Sequence, residues 1–120
     1  MSLSGLHTAG AWIVVVANAL AGIWTLGADR VPRLRHRALW WFTVAAEVAV
    51  FVEVALGAAL VAVEDRQAAQ FHAFYGFLAI VAVGLLYSYR SQLEHRIYLL
   101  YGCGGLFLAG LCLRAVQIRA

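Results

Sequence analysis

The strongest constraint on this chain is the run from Trp40 to Val63, WWFTVAAEVAVFVEVALGAALVAV, which is apolar throughout except for Thr43 and two acids, Glu47 and Glu53. Roughly 20 residues at about 1.5 Å rise cover a hydrocarbon core of about 30 Å, so such a run spans a bilayer with a little tilt. Both acids then lie deep, within about 6 Å and about 3 Å of the midpoint near Phe51. An ionised side chain at that depth costs about 2.5–3.5 kcal/mol on insertion scales, so each acid needs a partner, a proton or water. The six-residue step between them is about 120° around a helix, which points them at different neighbours.

The other segments carry the same signature. The chain has 120 residues, 64% hydrophobic and 12% charged, with a mean hydropathy of +0.83. A soluble domain is usually about 45–50% apolar. Apolar runs bounded by charge fall at 9–28, 39–63, 71–89 and 97–116. We therefore expect an all-α membrane protein of one domain, a four-helix up-and-down transmembrane bundle joined by loops of roughly 5–10 residues. A cleaved signal peptide is not expected, because Met1–Leu6 has no basic region ahead of the apolar stretch.

All nine basic residues are arginine. Arg30, Arg33, Arg35 and Arg37 lie in the first loop and Arg90 and Arg96 in the third, whereas the second, Glu64-Asp65-Arg66-Gln67, is net acidic. The positive-inside bias then puts loops one and three in the cytoplasm and both termini outside, with Arg114 and Arg119 as exceptions. A bacterial cytoplasmic membrane suits this pattern. The net charge of +3 belongs to topology, and no nucleic-acid partner is expected.

Within the helices, Ala17, Asn18, Ala21 and Gly22, and again Gly102, Gly105 and Ala109, form small-residue faces that allow close approach. Asn18 is one of few mid-membrane amides, and Glu47 is expected either to turn toward such a polar group or to be protonated at a subunit contact. Glu53 shares a face with Ala49 and Gly57, which turns it inward. Cys103 and Cys112 lie nine residues apart, on opposite sides of one helix, and suggest neither a metal pair nor a disulfide. His36 and His95 fall among loop arginines. His7 and His72 both sit at the outer starts of helices, hence at matched depth, and Gly76 and Ala79 leave a groove beneath His72. Bundle cores are where ligands from facing helices hold haem or metal.

The order of a His-bearing helix, then Glu53-Val54-Ala55-Leu56-Gly57, then a short outer loop and His72 opening the next helix resembles one four-helix half of the haem A synthases. There a Gln-x-x-Leu-Gly helix lies between two helices with axial histidines; here Glu53 takes the Gln position. The resemblance covers roughly residues 5–90. It implies that His7 and His72 could be the axial ligands of a b-type haem, in a redox or accessory bundle. Arg66 and Arg114 would be the outer cations for its propionates, and Glu53 would have a proton or hydrogen-bond role. A second half of the fold is lacking, and with it the family's haem-oxidising site, so enzymatic synthesis is not expected. A quinone headgroup bordered by the same histidines is the related possibility. Ala46-Glu47-Val48 also resembles the Ala-Glu-Val of small multidrug-resistance exporters, which implies a proton-coupled transporter using Glu47 or Glu53. The third expectation is a non-catalytic subunit of a larger membrane complex or a homo-oligomer.

Overall fold

A computed structural model of the protein describes residues 2–63 and 70–117. Four helices run through it: α1 (Leu3–Arg30), α2 (Arg37–Val63), α3 (Gln70–Tyr89) and α4 (Ile97–Gln117), with single 3-10 turns at Pro32–Leu34 and Glu94–Arg96. There is no strand among the described residues. All four helices are long and apolar enough to cross a membrane, and the protein is a multi-pass integral membrane protein. Ile13, Trp41, Phe77 and Tyr87 are each more than 60% exposed, a distribution that water would not tolerate and lipid does.

The first helix begins six residues earlier than the apolar run suggests. Ser2 is its N-cap and accepts a hydrogen bond from the Gly5 amide at 3.0 Å, which satisfies one of the orphan donors of a helix start. His7 therefore stands one turn inside α1 rather than ahead of it. At the far end, Val31 turns extended before Pro32, as the residue before a proline prefers. Arg35 folds back over the end of α1, its Nε donating to Ala28 O at 2.7 Å and its Nη2 to Asp29 O at 3.0 Å. Two last-turn carbonyls gain donors and the negative helix end gains a cation. Trp24 Nε1 donates to Leu34 O at 2.9 Å, and the Arg35 guanidinium lies 4.7 Å over the Tyr98 ring. Trp40 packs on Tyr98 and Tyr101 with ring centres 5.3 and 5.6 Å apart. The first arginine loop is thus fastened to α1 and α4.

Packing around the bundle is uneven. The closest pair is α1 with α4; α1 also packs on α2 and α3 on α4, while α2 and α3 barely touch. The α1–α4 seam is made by glycine: a methyl built on Gly22 would lie 2.8 Å from Leu106 N and 2.9 Å from Gly102 O, and one on Gly105 would lie 2.9 Å from Gly22 Cα. Asn18, 1% exposed, donates its amide to Val14 O at 2.9 Å and to Ala46 O at 3.2 Å, which ties α1 to α2. That amide is spent on backbone, so the expected Asn18–Glu47 contact is not made.

Candidate functional site

At the end of the bundle away from the arginine loops, α1 and α2 trade side chains across a pair of glycines. His7 of α1 rests on Gly57 of α2, where a methyl would come within 3.1 Å of the imidazole Cε1. Glu53 of α2 rests on Gly10 of α1, where a methyl would overlap its Oε1. The two side chains meet between these seats, His7 Nδ1 lying 3.0 Å from Glu53 Oε2, with 19% and 12% of their side chains exposed. Counting depth from Glu64 places Glu53 well below the histidines. The structure instead brings it to His7, because His7 sits a turn inside α1.

His72 joins them from α3. Its ring centre is 6.0 Å from that of His7 and the two planes are 88° apart. His72 Nδ1 lies 2.7 Å from Ala115 O in the last turn of α4. A carbonyl can only accept, so Nδ1 carries the hydrogen, and in neutral His72 the lone pair is on Nε2. The negative end of the α4 dipole favours that donor.

A cavity of about 60 Å³ lies beside these groups, lined from all four helices by His7, Glu53, His72, Tyr75, Gly76 and Cys112 among others. It has room for about two waters at roughly 30 Å³ each. Glu53 also borders a second, lipid-side hollow between α1 and α2, lined by Gly10, Ile13, Val48 and Val52.

The remaining expected residues lie elsewhere. Arg114 is exposed and its Nη1 reaches Gln117 Oε1 of its own helix at 3.4 Å; it does not line the cavity. Arg66 falls outside the described residues. Glu47 is partly buried, nearly two turns from Glu53 along α2, and does not line the cavity. Asn18 belongs to the α1–α2 contact. His36 accepts from Ala38 N at 3.0 Å, a local cap, and Cys103 and Cys112 are both free thiols. Gly10, Tyr75, Cys112 and the Ala115 carbonyl join the site without being among the residues expected from the sequence. The step of three from His7 to Gly10 mirrors the step of four from Glu53 to Gly57 and is the signal that could have found the first; a backbone carbonyl leaves no sequence signal.

Among the described residues no group of three or more histidine, cysteine or acidic side chains has an arrangement that could hold a metal ion. His7 and His72, from different helices, are the residues that could hold a metal or cofactor between them. Searches with protein-family models, curated proteins and solved structures give no match to this chain.

Proposed function

We propose that this protein is a small redox or accessory bundle of the bacterial cytoplasmic membrane, holding one b-type haem between His7 and His72. The observation that carries it is the 6.0 Å between the two ring centres, on α1 and α3, which face one another diagonally across the bundle. Two metal–imidazole bonds of about 2 Å put the nitrogens about 4 Å apart and the ring centres about 6 Å apart. Each imidazole already has an outer partner at Nδ1, Glu53 for His7 and Ala115 O for His72, the arrangement that orients metal-ligating histidines through Nε2.

The donors fit. The cavity of about 60 Å³ is smaller than the roughly 300–1,000 Å³ of ordinary ligand sites, so seating a macrocycle requires α2 and α3 to move apart. That is the seam with the least packing to lose, and a methyl on Gly76 there would find nothing nearer than Val54 Cγ2 at 4.0 Å. When bound, haem supplies one-electron chemistry. The chain's part is to hold the His7 ring against Gly57, keep a carboxylate at its Nδ1 and keep the Nδ1 proton of His72 on Ala115 O.

The test is the absorption spectrum of protein purified from haem-replete cells. A Soret band at one haem per chain is expected, lost in His72→Ala with the helical circular-dichroism signal intact. A colourless, folded protein overturns the proposal. One observation favours a second possibility, proton-coupled export: Glu53 borders both the interior cavity and the lipid-side hollow, as an acid exchanging a proton for a hydrophobic cation would. That function predicts no Soret band and substrate-driven proton release lost in Glu53→Gln.

A further inference from the structure

At the opposite end, α3 and α4 leave a trough on their outer face. Leu86, Leu93, Leu100, Cys103 and Phe107 line it, Arg96 stands at its end, and its volume is about 510 Å³. A neighbouring hollow of about 340 Å³ shares Leu86, Leu93, Leu100, Gly104 and Phe107 and reaches Tyr89, so the two form one continuous apolar channel along the helices. Its floor exists because Gly104 has no side chain: Leu86 of α3 occupies the place a Cβ would take.

We infer that this trough binds one anionic phospholipid, an acyl chain lying along Leu86, Leu100 and Phe107 and the phosphate on Arg96. Two features select that occupant. The arginines differ in how they are used: Arg35 is bonded to Ala28 O and Asp29 O, and Arg90 reaches Ser91 and stacks over Tyr87. Arg96 is exposed, its backbone amide bonded to Leu93 O and its guanidinium making no hydrogen bond or ion pair to a described residue, so its charge is available where α4 meets the membrane surface. An anionic headgroup at that level gains from a nearby cation, and basic pockets between transmembrane helices bind such headgroups. A second copy of the chain is disfavoured. Two copies oriented alike in the membrane and paired through this face would bring both Arg96 side chains to the same depth beside the symmetry axis.

The experiment is native mass spectrometry of the detergent-purified protein given equal amounts of phosphatidylglycerol and phosphatidylcholine with identical chains. One phosphatidylglycerol should be retained about fivefold over phosphatidylcholine, the preference that about one surface arginine supplies. Arg96→Gln should remove the preference and Arg33→Gln, at the other loop, should leave it. Equal retention of the two lipids, an equal loss in Arg33→Gln, or dimers in place of lipid adducts would each overturn the assignment.

Discussion

The α1–α4 and α2–α3 seams are built from the same kinds of residue and behave in opposite ways. Along α1–α4, Gly22 and Gly105 let backbone meet backbone, with a methyl at either position 2.8–2.9 Å from main-chain atoms of the other helix. Along α2–α3, Gly76 meets only the tip of Val54 at 4.0 Å, and both residues line the cavity beside the histidines. Small residues in a membrane helix therefore have no fixed meaning. Where two glycines face one another they fasten helices, because dispersion over a close contact is the main attraction available in lipid. Where a glycine faces a β-branched side chain at a distance, it leaves room. The fastened seam supplies the frame and the loose one supplies the space.

The largest effect expected is at the frame. Gly22→Ala should destabilise the bundle by about 1–3 kcal/mol, the usual cost of forcing an extra carbon into a packed contact. The cost should be at the high end, because the opposing atoms are backbone and cannot rotate away. Gly105→Ala should do the same. Reversible unfolding in detergent would measure it, and an unchanged midpoint would show that α1 and α4 can slide apart at little cost.

Asn18 comes next. Its amide joins Val14 O to Ala46 O, and polar contacts between membrane helices average about 0.6 kcal/mol, with a ceiling near 1.7. Asn18→Ala should fall in that range, below the glycine variants. A loss larger than that of Gly22→Ala would place the main fastening on α1–α2.

The sequence reveals the frame better than the site, for a physical reason. Bilayer thickness fixes helix length, so the four spans are readable to within a few residues; only the start of α1 differs, because the Ser2 cap extends the helix beyond the apolar run. Matched depth of His7 and His72 is likewise legible from topology. Lateral position is not. Which helices stand diagonal depends on which small faces meet, and sequence spacing alone does not say that Gly22 pairs with Gly105 or that Asn18 turns to Ala46 rather than Glu47. The partner of Glu53 depends on a reciprocal seat at Gly10 and Gly57, a relation between two helices that neither shows by itself.

Within the site, two alanine substitutions separate ring positioning from bulk. Gly57→Ala puts a methyl 3.1 Å from His7 Cε1, so the ring must shift by a few tenths of an ångström off its seat. Stability should change by less than about 1 kcal/mol, since the obstacle is the end of a side chain with two rotatable bonds. If haem is held as proposed, its retention should nevertheless fall, and the spectrum should move toward high spin. Gly76→Ala adds the same methyl at the loose seam, inside the cavity but away from His7, and should lower retention less and without the move toward high spin. Equal losses in both would mean that cavity volume, rather than the orientation of His7, limits binding.

The smallest effect marks the edge of the comparison. Gly84, two turns further along α3 from Gly76, has nothing within 4 Å of a built methyl, and the same holds for Gly110 on α4. Alanine at either site meets no neighbouring helix, and it removes some of the freedom that a helical glycine gives the unfolded chain. The change in unfolding free energy should stay within about 0.5 kcal/mol, on the stabilising side if it is resolved at all. Paired with Gly22→Ala, this isolates the seam: the same substitution, in the same helical conformation, differs only in what faces it. A clear destabilisation from Gly84→Ala would mean that a surface shown open to lipid is covered in the membrane, and oligomeric state would then be the quantity to measure on that variant.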